Sequence, residues 1–356
     1  MKHTLKVLLV MAILAAACGG TDDGTPAATG GAEAPNSLVL MTHDSFDISE
    51  ETLALFTDKT GIEVNILRAG DAGAMVNQAI LTKDNPTADV LFGIDNTFLT
   101  RAVSVGLFLE YESPLLADVP DELEAHPQVT PMDFGDVCVN FDRSAFRDQG
   151  LLPPSSLADL TKPEYHAMLV VQDPATSSPG LAFLLATIAA FPEDSAYSWK
   201  DYWSELRDNE VEVAAGWEEA YYGSFSGGAG EGRRPLVVSY ASSPPAEVVF
   251  AEEPLEEAPT AVIPSGCFRQ VEYAGILTGT AYPLEAAQLV DFMLSVDFQQ
   301  DMPLHMFVFP ANERAQIPDV FLDNTIVPSE SATIDPAVID ENRDRWIDEW
   351  TEIVSR

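Results

Sequence analysis

The sequence predicts an α/β protein in which helices cover both faces of a parallel sheet. Short apolar runs that suit buried strands alternate with helical segments along residues 37–97, the order that builds such a sheet. Hydrophobic residues make up 46% of the chain and charged residues 21%, as in globular proteins. A chain of 356 residues is long enough for two domains, each with its own core.

The first region repeats a strand followed by a helix. Strands are predicted over 37–42, 62–67 and 88–93. One helix runs from about 49 to 59 and ends at Gly61, and another follows the small-residue loop 69–73. The residues expected to face inward are Leu53, Leu55 and Phe56 in the first helix, and Met75, Val76, Ile80 and Leu81 in the second.

Polar side chains stand where these strands end. They are His43, Asp44, Asp71, Asp95 and Asn96. Ligands of parallel α/β sheets bind at the carboxyl ends of the strands. The sequence therefore predicts a binding edge here.

The alternation of strand and helix stops at 131–142, where the sequence predicts one long strand. A second α/β region is predicted over about 139–268. In that region the strand 168–171 leads to Ser177 and Ser178, with Ser178 as the expected N-cap and Pro179 as the first helical residue. A helix N-terminus after a strand offers free N–H groups to a carboxylate, a hydroxyl or a phosphate. An ordinary capped helix is the alternative.

A second serine–proline helix start supports a shared polar cleft. The strand 235–240 ends at Tyr240 and leads to Ser242, Ser243 and Pro244. The strand 211–217 ends on Trp217, and a helix is expected from 218. The aromatic residues of these segments either pack in a core or stack on a flat or cationic ligand; they are Trp217, Tyr221, Tyr222 and Tyr240.

The last third predicts a return strand over 266–276 and two helices. The inward residues of the first helix are Ala286, Leu289, Val290, Phe292 and Met293. The second is acidic and carries Trp346 and Trp350.

The pattern of the N-terminal residues is typical of an export signal. Lys2 and Lys6 precede an apolar run too short to span a membrane, and small residues lead to Cys18. This pattern resembles a lipoprotein signal over 1–17, lipidation of Cys18 and a flexible tether over 18–36. A cleaved secretory signal with an incidental cysteine is the alternative.

Composition and motifs disfavour several functions. A net charge of −39 opposes nucleic-acid binding, which needs a basic surface. The histidines and cysteines show no zinc spacing, and no phosphate loop, dinucleotide fingerprint or nucleophile elbow is present. We therefore expect neither an enzyme nor a metal site. Cys138 and Cys267 either form a disulfide or are two small buried residues, and spacing alone does not decide between these.

Several segments together carry a family resemblance. The chain resembles thiamine-binding proteins of ABC importers, within the type II solute-binding class. The likeness spans nearly the whole chain after the tether. It lies in Thr42-His43-Asp44-Ser45-Phe46, in 88–96, in Gln172-Asp173-Pro174 through Leu181, in Gly216-Trp217-Glu218-Glu219-Ala220-Tyr221, in Val238-Ser239-Tyr240-Ala241-Ser242-Ser243-Pro244, and in the C-terminal 346–350 and 354–356.

The resemblance implies a two-lobed fold, each lobe a mostly parallel sheet flanked by helices, joined by crossing hinge strands. The first lobe would comprise 37–138 and 269–356 with the C-terminal helices, and the second 139–268. The long strands 131–142 and 266–276 would be the crossings. Cys138 and Cys267 would be close if those strands are neighbours.

The resemblance also implies a ligand and its contacts. The ligand would be thiamine, its monophosphate or its diphosphate, with no cofactor. The contacts carried over are Asp71, Ala72, Ser177, Ser178, Trp217, Tyr240, Ala241, Ser242 and Ser243. A second set comprises His43, Asp44, Asp95 and Phe307. The chain departs from the family pattern at His43, Ala246 and Phe307, where the family shows tyrosine, tyrosine and tryptophan.

The resemblance implies that the protein delivers its ligand to a permease with a cytoplasmic ATPase. It also implies a monomer that a lipid anchors to the membrane, outside the cytoplasm. The alternative within the same class is a ferric iron carrier that uses Tyr221 and Tyr222, because hard oxygen donors suit that ion.

Overall fold

The structure, a computed structural model, describes residues 35–123 and 126–355. The predicted signal, the lipidation site Cys18 and nearly all of the predicted tether lie outside these residues. None of the described helices combines the length and hydropathy that crossing a membrane requires.

Nine strands of the described chain form one continuous sheet. Their bounds are β1 Ser37–Thr42, β2 Glu63–Arg68, β3 Val90–Asp95, β4 Thr130–Asp142, β5 Leu169–Gln172, β6 Glu212–Ala214, β7 Leu236–Tyr240, β8 Thr260–Ile276 and β9 Phe309–Pro310. The spatial order is β2-β1-β3-β8-β4-β7-β5-β6, and β9 pairs with β4.

The sheet contains two parallel sets joined by two long antiparallel strands. β1 pairs in parallel with β2 and β3, and β5 pairs in parallel with β6 and β7. β4 and β8 pair with each other in an antiparallel register, β8 with β3 and β4 with β7. This confirms the predicted fold class, including the long strands; β8 begins six residues before the predicted start at 266.

Some of the helices pack directly on this sheet, and others pack on neighbouring helices. They are α1 Glu50–Thr60, α2 Ala72–Leu81, α3 Leu99–Ser104, α4 Arg143–Gln149, α5 Ser178–Ala190, α6 Trp199–Asp208, α7 Pro244–Val249, α8 Pro283–Met293, α9 Val296–Gln299, α10 Met302–His305, α11 Asp319–Asn324 and α12 Pro336–Val354. The five inward residues predicted for α8 are all buried. In α12, Trp350 packs edge-on against Trp203 of α6, with ring centroids 5.4 Å apart.

Two inward residues were predicted wrongly. Leu55 is 39% exposed because α1 buries the face of Thr52 and Phe56, about 100° away around the helix axis. Leu81, at the last turn of α2, is 86% exposed because the buried face of that helix ends at Ala79.

Two predicted helix starts also differ from the structure. The N-cap of α5 is Ser177, one residue before the predicted Ser178, so Pro179 is the second helical residue. The segment after Trp217 forms a π-helical turn over Glu219–Ser224, in which the Phe225 N–H donates to the carbonyl of Ala220.

The cysteines form a disulfide between the two long strands. The Cys138–Cys267 sulfur atoms are 2.07 Å apart and the Cα atoms 4.4 Å apart, which joins β4 to β8. The pair is also buried, in a small cluster with Ala241 and Val262. The sequence left a disulfide and two buried cysteines as alternatives, and in the structure the cysteines are both paired and buried.

Candidate functional site

A cleft of about 810 Å³ opens where the two parallel sets of strands end. Strands β1, β2, β5, β6 and β7 each deliver a segment to it, as the rule for parallel sheets predicts. Of the residues carried over as ligand contacts, those that line the cleft are His43, Asp44, Asp71, Ala72, Ser178, Trp217, Tyr240, Ser243 and Phe307.

The other four lie behind the wall. Ser177 is buried and holds Asp71. Ala241 packs in the cluster around the disulfide, and Ser242 is buried next to it in sequence. Asp95 is buried at the end of β3, where its Oδ1 accepts hydrogen bonds from the N–H and hydroxyl of Thr97.

The Asp71 carboxylate joins the first parallel set to the second. Its Oδ1 accepts from the Ala72 N–H at 2.7 Å, at the start of α2, and from the Ser178 N–H at 3.3 Å. Its Oδ2 accepts from the Ser177 hydroxyl at 3.0 Å and from the Trp217 N–H at 2.8 Å. Burial raises the pKa of Asp71, although hydrogen bonds from Trp217 and Ser177 favour its charged form.

The backbone reinforces this junction. The Ala74 N–H donates to the Thr176 carbonyl at 3.1 Å. A Cβ on Gly73 would lie only 2.7 Å from that carbonyl group, so α2 can approach the loop before α5 this closely because residue 73 is glycine. The two sides of the cleft thus meet directly at its floor.

An aromatic group forms one wall. The Trp217 ring stacks on Tyr221, with centroids 4.9 Å apart and planes inclined by 19°, and meets Tyr222 edge-on at 5.5 Å. The Trp217 indole N–H donates to the Ser239 hydroxyl at 2.9 Å, which in turn is 2.8 Å from the Ser243 hydroxyl. These contacts fix the indole plane against the cleft.

Tyr240 and Glu272 contribute polar groups from the second wall. The Gln270 amide donates to the Tyr240 hydroxyl at 3.1 Å and to Glu272 Oε1 at 3.1 Å. Burial raises the pKa of Tyr240 well above its ordinary value, so the ring is a neutral phenol. Sequence reasoning missed Glu272, although a carboxylate within the apolar run of a buried strand was a signal available in the sequence.

His43 lies beside Glu272 on the wall of the cleft. Its Nε2 is 3.5 Å from Glu272 Oε2. Burial lowers the pKa of His43, but the carboxylates of Glu272, Asp71 and Asp44 outweigh burial and leave it above the ordinary value. Gly93 makes room for this ring, because a Cβ there would lie 2.3 Å from the imidazole.

Two further carboxyl groups are buried near Glu272. Burial raises the pKa of Asp95 to about 6, against hydrogen bonds from Ser178 and Thr97. Asp133 pairs with Glu272 in the β4–β8 register. Burial, with the neighbouring Glu272 charge, raises the pKa of Asp133 well above its ordinary value.

The tyrosines of the iron alternative are poor candidates for phenolate ligands. The Tyr221 hydroxyl donates to Glu247 at 2.8 Å, and burial together with this carboxylate raises its pKa well above the ordinary value. Burial, with Glu218 and Glu247, also raises the pKa of Tyr222. Ferric coordination would require both phenols to lose a proton among carboxylates. Among the described residues no group of three or more His, Cys, Asp or Glu is arranged to hold a metal ion.

Comparisons with known proteins agree with this geometry. The family model for bacterial extracellular solute-binding proteins matches residues 85–348. The thiamine-binding periplasmic protein of Brucella suis biovar 1 is 29% identical over 336 residues, covering 91% of this chain and 94% of that relative.

Solved structures give the same picture. A periplasmic thiamin binding protein superposes with a TM-score of 0.79 at 26% identity, covering 92% of this chain and 98% of that one. Iron-bound HitA from Pseudomonas aeruginosa superposes with a TM-score of 0.68 at 19% identity, covering 90% and 99%, which is a likeness of fold alone.

Proposed function

The chain belongs to the family of bacterial extracellular solute-binding proteins, and from this premise we propose that it captures thiamine or a thiamine phosphate in the cleft. The observation that carries the proposal is the aromatic wall of Trp217 in a cleft that is lined with carboxylates. Thiamine combines a flat aminopyrimidine with a cationic thiazolium, and both rings suit an indole face. Cation–π attraction of this kind contributes roughly 0.5–2 kcal/mol.

The contact set proposed for the ligand keeps every carried-over residue. Those on the wall would contact the ligand directly, except Asp71, whose two oxygens already accept four hydrogen bonds within the protein. Ser177, Ala241, Ser242 and Asp95 would act by holding the residues that reach the ligand. The size of the cleft also fits, since small-molecule sites are commonly about 300–1,000 Å³.

Transport follows from the family and the fold. The chain would bind its solute between the lobes 37–138 with 269–356 and 139–268, and close because the ligand contacts both. It would then deliver the solute, as a monomer, to a permease driven by a cytoplasmic ATPase. Lipidation of Cys18 would keep it at the outer face of the cell membrane. No bond is made or broken in this scheme.

Titration calorimetry tests the proposal. The full chain, purified in mild detergent, is titrated with thiamine, thiamine monophosphate, thiamine diphosphate and ferric citrate in parallel. We expect micromolar or tighter binding of at least one thiamine form and no heat from iron. Iron binding with a visible tyrosinate band would move the site to Tyr221 and Tyr222, and no heat from the thiamine forms would reject the ligand class.

A further inference from the structure

The wall of the cleft carries far more negative than positive charge. Seven carboxylates line it, those of Asp44, Asp47, Asp71, Glu218, Glu219, Glu247 and Glu272. Against them, the described wall has one guanidinium, Arg68, no lysine, and the two imidazoles of His43 and His305.

The positive groups already have partners within the protein. Arg68, exposed at the rim, donates to the Phe46 carbonyl at 3.0 Å. His305 lies 2.9 Å from Asp47 and 3.6 Å from Asp301. His43 faces Glu272, as described above.

Most of the carboxylates, by contrast, have no cationic partner. In the described part of the chain no lysine, arginine or histidine lies within ion-pair distance of Asp44, Asp71, Glu218, Glu219 or Glu247, and Glu272 has only the imidazole of His43. Glu218 has one polar contact with a side chain, the Ser45 hydroxyl at 3.5 Å. A cation entering the cleft would therefore meet uncompensated negative charge.

The first backbone N–H groups of the helices at the cleft are not free to bind an anion. At α5, Asp71 already accepts the Ser178 N–H, and Pro179 has no N–H to give. At α7, Pro244 and Pro245 have none either. The carboxylate of Asp71 thus takes the position that a phosphate would need.

We propose that the cleft selects thiamine itself and rejects its phosphates, an inference that rests on the proposed function. Thiamine carries one positive charge on its thiazolium. A phosphate monoester adds about −1.5 to −2 charges at neutral pH, which turns the ligand into an anion. The wall then repels the added group, and the first backbone N–H groups of α5 and α7 do not repay its desolvation, which leaves the Ser178 hydroxyl as a single uncharged donor there.

The test measures the affinities of the three ligands for the full chain at two salt concentrations. At about 50 mM NaCl we expect thiamine to bind at least about tenfold more tightly than the monophosphate, and the diphosphate more weakly still. At about 500 mM NaCl the gap should narrow, because salt screens the wall. A monophosphate or diphosphate that binds as tightly as thiamine, or a gap that salt leaves unchanged, overturns the inference.

Charge-neutral variants locate the effect. Glu218→Gln and Glu272→Gln should each weaken thiamine binding and reduce the preference over the monophosphate. Glu218 is exposed, so its variant keeps the test informative if Glu272→Gln does not fold. The control is Glu330→Gln, an exposed glutamate outside the cleft with the same charge change.

If both variants match the control in ligand preference, the wall charge does not set selectivity and the inference fails. If thiamine and its phosphates bind equally, the proposed function stands and only the selectivity is wrong. If none of the three binds, the proposed function falls and the inference with it.

Discussion

The side chains of Asp71 and Ser177, 106 positions apart in the chain, are joined by a hydrogen bond of 3.0 Å. The same carboxylate caps α2 in its own half of the molecule and accepts the N–H groups of Ser178 and Trp217 from the other half. One side chain therefore fixes the two walls of the cleft relative to each other. Its four donors leave the Asp71 oxygens little capacity for a ligand.

Replacing Asp71 with asparagine should loosen this junction. The amide offers one acceptor oxygen in place of two, and its NH₂ faces donors, so buried N–H groups lose their partners. We expect the free energy of unfolding to fall by about 1–3 kcal/mol, measured by urea denaturation. Ser177→Ala removes one donor and leaves the carboxylate, so it should cost less, about 0.5–1.5 kcal/mol. Equal losses in the two variants would contradict the bridging role of Asp71.

Replacing Trp217 with alanine should weaken thiamine binding by at least about tenfold, because the stacked face and its cation–π attraction disappear. Trp217→Phe keeps a ring but loses the indole N–H bonded to Ser239, so its loss should be smaller. Calorimetry gives both affinities, and circular dichroism checks that the fold is retained. Tyr222→Phe serves as the control, since it keeps the ring that meets Trp217 and removes a half-exposed hydroxyl. Near-normal affinity in the alanine variant would show that the indole does not contact the ligand.

Local pattern was enough to predict most of the fold. The spacing of apolar residues located α8 and its inward face, and the strand ends located His43, Asp44 and Asp71 at the cleft. Local pattern does not show which residues, far apart in the chain, contact each other. Serine is a common N-cap residue, yet the Ser177 hydroxyl donates its hydrogen bond to Asp71, which lies in a distant segment of the chain.

The same limit explains the residues that were missed or misplaced. Glu272 enters the cleft because β8 runs beside β3 and β4, a neighbourhood that depends on topology. Ala241 and Ser242 follow Tyr240 directly, but the chain turns there towards the disulfide and α7. Leu55 and Leu81 look like core residues by type, and only the direction of each helix against the sheet shows that they are exposed.

Breaking the Cys138–Cys267 disulfide should destabilise the protein without moving the cleft residues. The bond closes a loop of 129 residues, and removal of a native disulfide typically costs about 2–5 kcal/mol. We expect the Cys138→Ser, Cys267→Ser double variant to unfold at lower urea concentration by an amount in this range. Dithiothreitol should lower the stability of the original chain and leave the double variant unchanged. A reductant effect of equal size on both would show that the loss does not come from this bond.

The ion pair between His43 and Glu272 predicts that thiamine binding depends on pH. The pKa of His43 is raised in the folded protein, so its protonated form stabilises the unliganded chain below about pH 6.5, and this contribution is lost as the pH rises through the raised pKa. A cationic ligand beside Glu272 competes with the imidazolium for the same carboxylate, so binding should release a proton. Affinity should therefore increase with pH above about 6.5, by at most about tenfold per unit, until His43 is neutral.

Calorimetry in two buffers of different ionisation enthalpy counts the released protons and separates His43 from its neighbours. Asp44 and Asp71 face the imidazole, and Asp95 and Asp133 lie near Glu272. The pKa values of Asp71, Asp95 and Asp133 are raised by burial, so each of these three carboxyl groups adds to the pH profile of the original chain. The variant His43→Gln retains all of these carboxyl groups and lacks the imidazole. It should show a flatter profile and release fewer protons at neutral pH. An unchanged slope in this variant would assign the titration to the buried carboxyl groups and remove His43 from the binding equilibrium.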